Sequence, residues 1–286
     1  VGERAVTIQL ADSQLLGVLH QPEESLGVGV LVVVGGPQYR VGSHRQFVQL
    51  SRALAREGIA SMRFDCRGMG DSGGDKQPFD DIHEDIRAAC DAFCAESGIE
   101  RVVLWGLCDA ASAAMMYSIE DSRIAGLVLL NPWLQSEDAR ARTMVRYYYL
   151  RRLVSKEFWL KLLGGKVKVR TGLREARSYI KGSMSESSRP TGSYQSRMQS
   201  AMAQFKGKIC LILSGSDLTA REFELQALGV NGWPSFRADS CLVHRLKGAD
   251  HTFSSSPYKR KVESVSADFV VNMARVVAGN PRDRSH

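Results

Sequence analysis

The stretch VVLWGLCDAASAAM, residues 102–115, runs from a β-branched and aromatic segment through a glycine and a cysteine into alanine-rich text. Val102 to Trp105 have strand character, and Ala110 to Met115 have helix character. Between them, Gly106-Leu107-Cys108-Asp109-Ala110 fits the pattern Gly-x-nucleophile-x-small. Such a turn projects one side chain above the carboxyl end of a strand, and small flanking residues let strand and helix pack closely around it. Cys108 is therefore a candidate nucleophile. A thiol at a helix N-terminus is shifted toward thiolate, whereas the Asp109 carboxylate beside it opposes a second negative charge. The competing reading of this stretch is a small buried cysteine in a tight turn.

Working outward from the elbow, the flanking segments alternate between strand and helix. Residues 5–10 (AVTIQL) and 14–20 (QLLGVLH) read as an opening hairpin. Residues 27–36 (GVGVLVVVGG) form an unbroken β-branched run, as expected of a strand buried on both faces of a parallel sheet. Helical spacing at Phe47, Leu50 and Leu54 follows, then a strand at 59–65, a glycine-rich loop RGMGDSGG at 67–74, and a helix over 79–98. After the elbow, IAGLVLLNP at 124–132 is a strand. The alternation resumes at KICLILSGSD (208–217), with a helix from Thr219, the strand SCLVHRL (240–246) and a last helix from Pro257 to about Gly279. The predicted fold class is α/β, a mainly parallel sheet with helices on both faces. Residues 1–132 and 207–286 are its core domain, and residues 133–206 are a basic helical lid inserted between the sixth and seventh strands.

A nucleophile of this kind needs a histidine and an orienting acid at the same sheet edge, in the chain order nucleophile, acid, histidine. Asp217 ends the strand beginning at Lys208, and His251 lies in the loop KGADHTFSS after the next strand. His244 lies within a strand and is read as structural. Asp250 is a rival acid, disfavoured because an immediate neighbour of a histidine rarely faces the same ring. Developing negative charge on a carbonyl oxygen calls for backbone donors. The expected pair is the N–H of Asp109 and, because Pro37 in GGPQYR carries none, the N–H of Gln38. Asp65 and Arg67 are expected to pair near the mouth of the site.

With the elbow, Asp217, His251 and the GGP loop assembled, the chain resembles the α/β-hydrolase superfamily over nearly its whole length. GGPQYRVGSHRQF, FDCRGMGDSGG and GLCDAASAA resemble one group more closely, the hydrolase 1 family associated with the exosortase A system. The resemblance implies an α/β-hydrolase fold, a cysteine elbow and a setting beside exopolysaccharide loci. The expected function is a cysteine-nucleophile esterase or thioesterase acting through an acyl-enzyme on Cys108. An acyltransferase using the same acyl-cysteine, and a non-catalytic binding protein of such a system, are the alternatives.

The 286-residue chain has a formal net charge of +7. Residues 133–206 hold 16 Lys and Arg against 5 Asp and Glu, so the basic excess belongs to the lid segment. There, Arg146, Arg151 and Arg152 are candidate contacts for an anionic, small-molecule or carrier-bound acyl substrate. A merely solvated basic face and a peripheral contact with a membrane surface are the other readings. Nucleic acid is excluded as a partner, since no binding module accompanies the charge. RGMGDSGG lacks the Lys-Ser/Thr of a phosphate loop, and no dinucleotide fingerprint is present. The six cysteines show no CxxC pair and no zinc spacing, so neither a metal nor a cofactor is expected. Free thiols, no transmembrane run and no leader at VGERAVTIQL place the protein in the cytoplasm by expectation. The oligomeric state is left open.

Overall fold

The computed structural model describes residues 2–36, 38–134 and 193–278. Its centre is an eight-stranded sheet: β1 (Gly2–Leu10), β2 (Ser13–Gln21), β3 (Val28–Val33), β4 (Ser61–Phe64), β5 (Arg101–Leu107), β6 (Ile124–Leu130), β7 (Lys208–Ser214) and β8 (Cys241–Leu246). The spatial order is β1-β2-β4-β3-β5-β6-β7-β8. β1 and β2 form the expected antiparallel hairpin, β2 also runs antiparallel to β4, and every later pairing is parallel.

Burial explains the sequence patterns. β3 is buried at all six positions, and β5 at all but its first residue. Such strands read as continuous apolar text, because both faces are covered. β1 and β8, at the two edges, are only partly covered.

Along β3 the side chains alternate between two cores. Leu31 and Val33 join Leu104, Leu127, Phe93 and Met115, on the face covered by α2 (His83–Ser97) and α3 (Asp109–Tyr117). Val30 and Val32 join Val103, Trp105, Val128 and Ile212, on the face covered by α1 (Gln46–Arg56) and the C-terminal helix Ser256–Ala278. Trp105 meets Phe47 edge-on at 5.5 Å between centroids, and its indole N–H reaches Ser266 Oγ at 3.2 Å. Helix α4 (Tyr194–Gln204) falls inside the span expected to be lid, yet Met198, Ala201 and Met202 are buried in the core face shared with α3. Arg197 on the same helix pairs with Asp80 at 2.5 Å. Helix α4 thus packs as part of the sheet-bearing unit, which takes in Tyr194 onward. Residues 135–192 of the expected lid, with Arg146, Arg151 and Arg152, lie outside the described residues.

The glycine-rich loop is organised by ion pairs other than the one expected. Asp65, fully buried at the end of β4, pairs with Arg40 in the loop after β3 and accepts the N–H of Asp71 at 3.2 Å. Arg67 turns the other way, to Asp85 at the start of α2, at 2.9 Å. Asp65 and Arg67 are therefore not partners, because successive acid and base point to opposite sides of the turn. The Asp65–Arg40 pair ties this loop to the loop that follows β3.

A buried histidine makes the sheet acid-sensitive. His20 on β2 is fully buried, and its Nε2 accepts from Arg63 Nε at 3.2 Å. Burial, reinforced by the Arg63 charge, pushes the ring down to about 4. The folded protein thus holds the ring neutral where the unfolded chain takes a proton near its ordinary value of 6.5. The stability from this group is complete above that value and is lost as pH falls toward 4. At about 1.4 kcal/mol per unit, the loss approaches about 3 kcal/mol. Urea denaturation of wild type and His20→Gln across this window is expected to show the wild type losing the larger increment. Parallel curves would contradict it.

Candidate active site

The elbow forms where β5 hands over to α3. Cys108 is the N-cap of α3, with φ 61° and ψ −121°, a backbone conformation that costs a non-glycine residue strain. The turn is tight enough that a Cβ on Gly106 would lie 2.7 Å from the Ala110 carbonyl carbon. That contact explains why the position before the elbow carries no side chain. Ala110, buried against this turn, fills the place where a glycine is usual without displacing it. The Cys108 N–H donates to the Leu130 carbonyl at 2.9 Å, anchoring the elbow to the end of β6.

Asp217 and His251 arrive at the same edge from β7 and β8. Asp217 is the N-cap of α5 (Leu218–Phe223), and its carboxylate accepts the N–H groups of Thr219 at 3.4 Å and Ala220 at 3.1 Å. It also meets His251 Nδ1 at 2.8 Å. With Nδ1 held by Asp217, Nε2 is the ring nitrogen left for Cys108, which interacts with the ring. Burial alone would push the His251 ring down. The hydrogen bonds and charges of Asp217 and Cys108 more than reverse that, lifting it to about 10. Asp250, the rival acid, instead turns to the start of the C-terminal helix, α6 (Ser256–Ala278), where it accepts the N–H of Ser254 at 2.8 Å. His244 stays within β8, its ring pushed down by burial and by Lys261. The three residues expected to act together are thus adjacent, and the two rivals face elsewhere.

The loop after β3 differs from expectation in one respect. The Gln38 N–H folds back on the Gly35 carbonyl at 3.3 Å, closing a turn. The N–H that faces the elbow belongs to Gly36, whose φ of 62° places it in the left-handed region glycine tolerates. It donates to Asp109 Oδ2 at 2.8 Å. Asp109 Oδ1 accepts from the Ala110 N–H at 2.9 Å, and the Asp109 N–H also turns toward its own carboxylate. Burial raises the Asp109 carboxyl above its ordinary range, against the lowering by these three N–H groups and the Lys76 charge. A Cβ on Gly35 would lie 2.2 Å from Asp109 Oδ1, so the loop approaches the elbow closely only because that residue is glycine.

One residue of the site escaped sequence reasoning. Asn131, fully buried with φ 42°, follows β6 and links the end of β7 to the loop that carries His251. Its Nδ2 donates to Ser214 Oγ at 2.8 Å and to the His251 carbonyl at 2.9 Å, and its Oδ1 accepts from the Ser214 N–H at 2.8 Å. Ser214 Oγ in turn donates to the Asp250 carbonyl at 2.7 Å. A polar residue directly after the apolar run IAGLVLL was the available signal. Asn131→Ala leaves buried donors and acceptors unpaired, a cost of about 2 kcal/mol. Thermal unfolding is expected to show that loss, and any turnover assigned to His251 should fall in kcat more than it rises in KM. A variant with wild-type kcat would show that the network does not position His251.

A parallel sheet in this order, with a strained elbow after β5 and a histidine–carboxylate pair from the last two strand ends, defines an α/β hydrolase. A family model described as serine aminopeptidase, S33, matches residues 29–206, and the chain belongs to that family. Among solved structures it is similar to an esterase of Pyrococcus furiosus, at 16% identity over 95% of this chain and 91% of the other, with a TM-score of 0.64. It is also similar to a putative α/β hydrolase of Agrobacterium tumefaciens, at 14% identity, covering 97% and 98%, with a TM-score of 0.60. A proline iminopeptidase of Mycobacterium smegmatis matches at 14% identity over 96% and 100%, also at 0.60. Among curated proteins, none matches the chain. Where the family description names a serine, the elbow here carries Cys108. Among the described residues, no helix is long and apolar enough to cross a membrane.

Proposed function

We propose that the protein is a cysteine hydrolase that cleaves an ester or thioester through an acyl-enzyme on Cys108. The observation that carries this reading is the His251–Asp217 pair, 2.8 Å between Nδ1 and Oδ2, set beside Cys108 at a strained elbow. His251 takes the Cys108 thiol proton as the sulfur attacks the carbonyl carbon, and the carbonyl π pair moves onto oxygen. In this reading the N–H groups of Asp109 and Gly36 receive that oxygen once the Asp109 carboxylate has left them, Gly36 taking the part first assigned to Gln38. Collapse expels the alcohol or thiol, which takes its proton from His251. His251 then removes a proton from water as it attacks the thioester and returns it to the departing sulfur, releasing the acid and restoring the Cys108 thiol. Asp217 holds the ring with Nε2 toward the sulfur and supports its positive charge.

A thioester intermediate is open to alcohols and thiols as well as water, so acyl transfer is the second reading, carried by the cysteine itself. In the same proposal, Arg146, Arg151 and Arg152 of the basic segment receive an anionic acyl donor. In the same proposal the protein acts in the cytoplasm and serves exopolysaccharide assembly, a reading supported by its resemblance to exosortase A-associated hydrolases.

Brief exposure to a short acyl thioester, followed by intact mass and peptide mapping, tests this reading. The expected result is one acyl group on Cys108, discharged by water or, faster, by an added acceptor. Acylation at another residue, or no acylation across thioesters and aryl esters, would overturn it and favour a binding protein.

A further inference from the structure

Each N–H group that should stabilise an oxyanion is already turned toward an anion of the protein itself. The Gly36 N–H donates to Asp109 Oδ2 at 2.8 Å, the Ala110 N–H to Oδ1 at 2.9 Å, and the Asp109 N–H turns toward the same carboxylate. Convergent backbone N–H groups at a helix N-terminus attract negative charge, and here the negative charge is built in. The Gly35 Cα forms the floor under Oδ1, where a Cβ would come within 2.2 Å. The loop is therefore shaped to admit this carboxylate.

We propose that Asp109 is an internal occupant of the oxyanion hole, and that an acyl substrate must displace its carboxylate before Cys108 can complete its attack. This rests on the acyl-enzyme reading above. The residue that contributes a backbone donor to the hole also blocks it with its side chain. Opening requires that the carboxylate swing away and leave the N–H groups of Gly36 and Asp109 to the incoming carbonyl oxygen. Such a hole discriminates against small esters, whose few contacts elsewhere cannot offset the loss of the internal hydrogen bonds. A substrate anchored along its length can drive the displacement with binding energy gained away from the reacting atoms. Asp109 is thereby a specificity-determining residue of this site.

The competing role is a strut: the carboxylate would simply hold the loop after β3 against the elbow, and activity would fall without it. The two roles give opposite signs. In p-nitrophenyl acetate acylation, the sulfur–carbon bond forms, the carbon–oxygen bond breaks and p-nitrophenolate leaves as a burst. Asp109→Ala is expected to raise the acylation rate constant by about tenfold or more, since a freed donor pair is worth at least that much. Asp109→Asn, which keeps the volume but loses the charge, should give a smaller increase. Equal or slower acylation in both variants would overturn the proposal. A second measurement reads the contact without catalysis. The Gly36 amide proton of ¹⁵N-labelled protein is expected to shift and to exchange faster with solvent in Asp109→Ala. An unchanged Gly36 amide would refute the occupancy. A changed amide with no burst in any variant would support the occupancy and remove the acyl-enzyme reading instead.

Discussion

Cys108→Ala is expected to abolish turnover of acyl thioesters and aryl esters, lowering kcat by about ten-thousand-fold or more, with no burst. The size follows from covalent chemistry. Without the sulfur no acyl-enzyme forms, and the remaining N–H groups and the His251–Asp217 pair have no intermediate to stabilise. Stability should move the other way or not at all. Cys108 holds φ 61° at the cap of α3, a conformation paid for by the rest of the elbow. Glycine accepts positive φ without steric cost, so Cys108→Gly is expected to stabilise the fold by up to about 1 kcal/mol while being equally inactive. Kinetics and urea denaturation on the same preparations check both halves. Residual turnover within tenfold of wild type in Cys108→Ala would place the nucleophile elsewhere. A large loss of stability in Cys108→Gly would show that the elbow is not strained.

The parts legible in the sequence are those set by local chemistry. A strand covered on both faces must be apolar throughout, so GVGVLVVVGG and RVVLWG announced β3 and β5. The close approach of strand and helix at the elbow demanded small residues at 106 and 110. Asp217 and His251 were found because parallel strands deliver their ends to one edge, which chain order alone can predict. What escaped depends on which loop meets which. Asn131 joins Ser214 and the His251 carbonyl across 83 and 120 residues, and no local pattern encodes that meeting. The choice between Gly36 and Gln38 turned on the rotation of a peptide plane next to a proline. Sequence showed only which residue lacked an N–H. The partners of Asp65 and Arg67 were misjudged for a similar reason, since two charges two residues apart need not share a side of a turn.

His251→Ala is the second large effect, expected to lower acylation by about a thousandfold or more while His244→Ala leaves it near wild type. The two histidines differ in surroundings rather than in type. His244 meets burial and Lys261, both of which disfavour its charge. His251 stands between Asp217 and Cys108, and their hydrogen bonds and charges lift it to about 10. That lift favours the protonated ring, the form that protonates a leaving group. The sign of the linkage follows. A group raised on folding stabilises fully below its unfolded value of 6.5, and that contribution is lost as pH rises toward 10. Wild type should accordingly lose more stability than His251→Ala as pH is raised through this window. Asp217→Asn should lower the His251 value and acylation together, because the amide cannot supply the charge that holds the ring protonated. Equal pH–stability slopes in wild type and His251→Ala, or comparable rate losses in His251→Ala and His244→Ala, would remove His251 from the mechanism.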